Sequence, residues 1–178
     1  MRKLAQYDIN KLIDYLDERL TFERASVELY DVIIHKMKRV ADPQLSMILP
    51  EMQRYRDEER EHKEWLEDQI KELGGDITQK TERARLIERE SKGIEEVVKG
   101  DAQTSHLFHA LLTAELVDTS GWQLLLELAD EAEDEEARSA FRYRLHQEEN
   151  HLIFIRRVLT IIARTQVLGK QHSMAAAL

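Results

Sequence analysis

Apolar side chains recur in alternating steps of three and four residues along four long segments of the 178-residue chain, a spacing that calls for long amphipathic α-helices. The segments span about residues 8–39, 44–73, 103–130 and 134–164. The first stops near Asp42-Pro43, because proline disfavours helix in the residue before it. The second ends at Gly74-Gly75, and Gly169 lies past the end of the fourth. With six glycines and two prolines, the chain has little to interrupt such elements. Runs of β-branched or aromatic residues at period two are missing, so the expected class is all-α.

Two links are short, those between the first and second segments and between the third and fourth. Each pair is therefore expected to form an antiparallel hairpin. The link over 74–102 is long, and its middle, 81–99, reads as one or two extra helices. Thr81-Glu82, Gly93 and Gly100 mark candidate starts and stops within it. The expected architecture is a four-helix bundle with a long crossover, built as one domain over 1–172. The final residues, Ser173-Met174-Ala175-Ala176-Ala177-Leu178, resemble a tail added in cloning and are set aside.

The four stripes carry the chemistry. The first reads Ile13, Leu16, Leu20, Glu23, Val27, Tyr30, Ile34, Met37. The second passes through Met52, Tyr55, Glu59, His62 and Leu66. The third passes through Phe108, Leu111, Glu115, Asp118, Trp122 and Leu125, and the fourth through Phe141, Arg144, Glu148, His151 and Ile155. Each is a core-facing seam interrupted by charge near its middle. Antiparallel helices of similar length bring their midpoints to one level, so Glu23, Glu59, Glu115 and Glu148 should meet inside an apolar core. Uncompensated, each buried charge costs several kcal/mol or more. Protonation relieves that in part; cations relieve it better. Two divalent ions, four glutamates and two neutral histidines sum to zero charge.

Glu59-Arg60-Glu61-His62 and Glu148-Glu149-Asn150-His151 are both Glu-x-x-His, which puts carboxylate and imidazole on one helix face a turn apart. With seven histidines in the chain, about one such match is expected by chance. Two matches, both mid-helix, both core-facing and on the second and fourth helices, are far rarer. Carboxylates with two imidazoles suit iron or manganese, whereas an all-oxygen shell would suit magnesium or calcium.

These residues resemble those of the ferritin-like di-iron carboxylate proteins, in which two helices give one Glu each and two others give Glu-x-x-His. Within that class the chain looks most like rubrerythrin/erythrin and bacterioferritin-type domains, over 8–164. The resemblance implies a ferritin-like fold and two iron ions, with manganese as an alternative. It implies that Glu59 and Glu148 bridge them, that Glu23 and Glu115 bind one each, and that His62 and His151 cap the ends. Tyr30 matches the family's tyrosine beside the site, where it would hydrogen-bond a ligand carboxylate. Asp118 stands where erythrins often carry a further acidic ligand, with a shorter reach. Arg60 follows Glu59 where bacterioferritin has its haem methionine, so no haem is expected. The chain has no cysteine, so the cysteine-ligated iron domain of full rubrerythrins is excluded and electrons must come from an external donor.

Several seam residues have plainer readings. Tyr30 and Trp122 serve packing equally well. Asp118 is a ligand, a partner of a histidine, or solvated. Arg144 balances charge near the site or reaches water at the bundle end. His106 and His109 point away from the other candidates, and His35, His146 and His172 have no partner pattern. The acidic run from Glu131 to Glu136 reads as a solvated turn favouring the start of the fourth helix.

A formal net charge of −9 with no basic face argues against nucleic-acid binding. No apolar leader and no spanning run of about 18 residues are visible, so no membrane partner and a cytoplasmic home are expected. The implied function is a di-iron oxidoreductase using O2 or H2O2, ferroxidase- or peroxidase-like, in a homodimer or higher homo-oligomer. Iron binding and storage without an organic substrate, a di-manganese catalase-like enzyme and a metal-free helical interaction module are the alternatives.

Overall fold

The structure, a computed structural model, describes residues 1–40, 42–100 and 103–178. Among these residues run five α-helices: α1 (Ile9–Val40), α2 (Pro43–Glu72), α3 (Glu82–Gly100), α4 (Thr104–Glu131) and α5 (Glu135–Leu168). Short 3-10 helices lie at Leu4–Gln6 and Met174–Ala177, and no strand occurs among the described residues.

Pro43 does more than stop the first helix. It opens α2, where its missing N–H leaves nothing unsatisfied, and the Asp42 side chain caps that helix by accepting from Gln44 N at 2.8 Å. Gly74 closes α2 with a left-handed φ of 82°. The fourth segment runs past the expected end at residue 164, to Leu168, where Gly169 stops it at φ 63°.

The α1–α2 and α4–α5 pairs form the two expected hairpins. The described part of the crossover holds one helix. Gly93, a candidate stop, lies inside α3, because three buried positions around it (Ile87, Ser91 and Val98) keep the helix pressed against α1 and α4. Thr81 Oγ1 accepts from Ala84 N at 3.3 Å and starts this helix as expected. Buried Asp17 accepts Thr81 N at 2.8 Å and ties the crossover to α1. The crossover's expected end, Ala102, lies outside the described residues. Residues 173–178 do not trail free of the bundle: Met174 and Ala177 are buried against α2 and α5.

The core divides into two apolar clusters. One gathers Ile33, Met52, Tyr55, Phe108, Phe154 and Ile155; the other gathers Leu16, Leu20, Leu66, Trp122, Leu125 and Phe141. Between them lies a layer of buried charge. Among the described residues no helix is long and apolar enough to cross a membrane.

Candidate metal centre

Glu23 of α1, Glu59 and His62 of α2, Glu115 of α4, and Glu148 and His151 of α5 meet in that layer, each at most 2% exposed. Their donor atoms form two groups: Glu23, Glu59, His62 and Glu148 in one, and Glu59, Glu115, Glu148 and His151 in the other. Within each group the donor atoms lie within 4.8 Å of one another, and Glu59 and Glu148 belong to both.

Both imidazoles turn Nδ1 inward. His62 Nδ1 is 2.8 Å from Glu148 Oε1 and 3.6 Å from Glu23 Oε2. His151 Nδ1 is 3.2 Å from Glu59, 3.4 Å from Glu148 and 3.7 Å from Glu115. Both turn Nε2 outward, His151 to Glu58 Oε2 at 2.7 Å and His62 to Gln147 Oε1 at 2.9 Å.

The terminal carboxylates are each held by an aromatic donor one heptad past the other. Tyr30, a heptad after Glu23, donates its O–H to Glu115 Oε1 at 2.5 Å. Trp122, a heptad after Glu115, donates its indole N–H to Glu23 Oε1 at 2.8 Å. The opposite oxygens, Glu23 Oε2 and Glu115 Oε2, are buried without a hydrogen-bond partner, as is Glu59 Oε2, while His62 Nδ1 and the Glu148 oxygens meet only in close contacts outside hydrogen-bond geometry. Buried polar atoms are normally satisfied. Here the unsatisfied ones are nearly all acceptors facing one another, which is the arrangement that cations complete. Carboxylate oxygens and imidazole nitrogens in two overlapping groups fit a pair of iron or manganese ions.

The protonation pattern without metal shows the same strain. Burial, then the neighbouring carboxylate of Glu148, raises Glu59 well above the usual carboxylate range. Burial raises Glu115 to about 8, against the opposing pull of His151. Burial alone would lower His62, but its contacts with Glu148 and Glu23 lift it to about 10. His151 is likewise lifted well above its usual value, burial being outweighed by Glu148 and Glu58. Glu148, between both imidazoles, is held down to about 2 although burial opposes this. In the absence of metal the site holds itself together with protons.

Asp118 is buried but stands outside both groups. It is neither solvated nor bonded to a histidine. Its Oδ1 takes Arg19 Nη1 at 2.5 Å, and Arg19 also reaches the Asp118 carbonyl at 3.1 Å. Asp118 Oδ2 has no partner, and burial, then Glu23, raises this carboxyl well above its usual range. Arg144 is half-buried: its guanidinium lies 3.6 Å from the Trp65 ring centroid, and burial lowers it to about 10 against the pull of Glu23. The remaining histidines, His35, His106, His109, His146 and His172, join neither group.

Sequence reasoning did not single out Arg19, Glu58, Gln147 or Gly121. A signal existed for two of them, since Glu58 and Gln147 each immediately precede the glutamate of a Glu-x-x-His. Gly121 was the third signal. A Cβ there would lie 2.4 Å from Arg19 Cζ, so glycine makes room for the buried guanidinium.

No protein-family model and no curated protein matches the chain. A solved structure described as a ferritin like, diiron-carboxylate protein from Bacillus anthracis str. Ames superposes with a TM-score of 0.66 at 21% identity, covering 85% of this chain and 97% of that one. Together with the two hairpins and the helical crossover, this likeness establishes that the chain has a ferritin-like helical-bundle fold.

Proposed function

We propose that the cluster binds two iron ions and that the protein is a di-iron oxidoreductase acting on O2 or H2O2. The single observation that carries this reading is the pair of overlapping buried donor groups sharing Glu59 and Glu148. The diiron-carboxylate description of the similar Bacillus anthracis structure supports the choice of iron.

Two ferrous ions, giving up one electron each, would supply the pair of electrons that takes H2O2 to water or O2 to H2O2. The chain's own residues do the rest. Glu59 and Glu148, common to both groups, would hold the ions side by side. Glu23 and Glu115 would each face one ion with the oxygen left free by Trp122 and Tyr30. Those two donors fix the carboxylate orientations, and the Tyr30 O–H keeps a proton on hand at Glu115 Oε1. The apolar clusters on either side exclude bulk water, which strengthens every charge interaction in the layer. An external electron donor would return the centre to the ferrous state, and assembly as a homodimer or higher homo-oligomer is part of the proposal.

Elemental analysis of the purified protein is expected to find about two iron ions per chain. Rapid mixing of the reduced protein with O2, and separately with H2O2, should then show oxidation faster than that of free Fe(II). If neither oxidant outpaces free Fe(II), the protein is not an oxidase or peroxidase. Manganese in place of iron would favour a catalase-like reading, and a large closed shell by native mass measurement would favour storage.

A further inference from the structure

The two halves of the cluster share one plan, a glutamate from one helix and Glu-x-x-His from another, but differ in how each histidine's outer nitrogen is held. Glu58 precedes Glu59 on α2 and crosses to His151 on α5 at 2.7 Å. Gln147 precedes Glu148 on α5 and crosses to His62 on α2 at 2.9 Å. The positions correspond and the directions are reciprocal, but one is a carboxylate and the other an amide.

That difference bears on how each imidazole would hold a cation. For Nδ1 to offer its lone pair inward, the proton must sit on Nε2. An Nε2–H donating to a carboxylate makes Nδ1 more basic, and the carboxylate's own charge adds attraction for the ion. A neutral amide fixes the ring and does less of both. Arg54 Nη1 holds the other oxygen of Glu58 at 2.5 Å and fixes the carboxylate's orientation toward His151. On the other side a positive charge intrudes. The Arg144 guanidinium stacks on Trp65 and lies 5.9 Å from the ring of Trp122, which is itself edge-on to His62 at 5.6 Å. A cation there repels an ion on the His62 side. A cation also stands on the His151 side, Arg54, but it is paired with both Glu58 and Glu51, and each terminal carboxylate receives one aromatic donor.

We propose that the two positions are ranked in affinity. The ion bounded by Glu115 and His151 is held tightly, the ion bounded by Glu23 and His62 loosely, and Glu58 and Gln147 are the positioning residues that set the order. This ranking rests on the reading of the cluster as a dinuclear centre.

The test is titration of the metal-free full chain with Co(II), followed by visible absorption and calorimetry. Wild-type protein is expected to bind in two steps of one ion each, the first at least about tenfold tighter, because outer partners of metal-bound histidines typically tune affinity by about 10–100-fold. Glu58→Gln should weaken the first step by about that factor and bring the two together. Gln147→Glu should strengthen the second step and leave the first nearly unmoved. Both changes are nearly isosteric, and circular dichroism checks that the helices survive. His151→Ala should abolish the tight step, whereas His62→Ala should abolish only the weak one. Two equal steps in the wild type, no selective shift in the glutamate and glutamine variants, or loss of the tight step in His62→Ala would each overturn the ranking. Failure of the wild type to bind two ions would remove the dinuclear centre itself, and the ranking with it.

Discussion

Arg19 carries the heaviest electrostatic obligation outside the carboxylate layer. Its side chain is 2% exposed and pairs with Asp118, 1% exposed. Removing one member of such a pair leaves the other charge buried alone. Arg19→Met is therefore expected to destabilise the metal-free protein by about 3–5 kcal/mol, and adding Asp118→Asn should recover most of that. Urea unfolding of the two single variants and the double variant measures the coupling; additive losses would mean that the pair is not the reason. Gly121→Ala is expected to cost about 1–3 kcal/mol in the wild type, because the new methyl group displaces the guanidinium, and much less beside Arg19→Met. The pair went unread in the sequence for a plain reason. A stripe in steps of three and four puts position 19 on the flank, where a lone arginine reads as solvated. A glycine in the middle of a helix costs about 1 kcal/mol relative to alanine, and that cost was the available hint. The six cluster residues were legible because six chemically demanding side chains shared one register. Their outer partners were not, because glutamate and glutamine beside them look like ordinary helix surface.

At the scale of elements, the helices were legible from their apolar period, and their edges were legible where a capping residue marked them. Asp134 shows how much one cap can do. Its Oδ1 accepts from Ala137 N at 3.1 Å and starts α5, while its Oδ2 accepts from the backbone of Lys3 at 2.9 Å and of Leu4 at 3.0 Å. These bonds from backbone amides outweigh burial and lower its pKa. Asp134→Ala is expected to cost about 1–2 kcal/mol and to speed hydrogen exchange at the Lys3 and Leu4 amides, with exchange in the middle of α5 unchanged. Equal exchange at those amides in both proteins would show that the cap does not hold the 3-10 segment. The acidic turn was thus more than a solvated stretch, and the tertiary bond from Asp134 has no local signature. The same limit applies to α1. Its narrow stripe omitted Asp17, Phe22, Ser26, Leu29 and Ile33, all buried, because α1 is covered by α3 as well as by α2 and α4. Periodicity reports the face turned to one seam and cannot count the neighbours.

For the whole molecule, the charged layer makes stability depend on pH and on metal together. In the metal-free protein Glu115 is raised from 4.5 to about 8, so between those values the folded state keeps a proton that the unfolded state has lost. Stability therefore falls as pH rises through that window. His62, raised from 6.5 to about 10, contributes stability that is complete below 6.5 and lost as pH climbs to about 10. Glu148, lowered to about 2, acts in the opposite sense, but only below 4.5. The metal-free unfolding midpoint is thus expected to drop from pH 6 to pH 9. Bound divalent ions should abolish that drop, because they displace the same protons, and saturation at a hundredfold over Kd would add about 2.7 kcal/mol. Thermal unfolding with and without chelator across this range checks both statements. A curve indifferent to chelator at every pH would instead favour a metal-free interaction module.

Each donor group draws on both hairpins: the first takes Glu23, Glu59 and His62 from one and Glu148 from the other, and the second takes Glu59 from one and Glu115, Glu148 and His151 from the other. Neither half of the chain can therefore assemble a complete coordination set while its counterpart is still unfolded. On the proposed reading, metal would be captured only once the last helix has docked, so an unfinished polypeptide would carry no exposed redox centre.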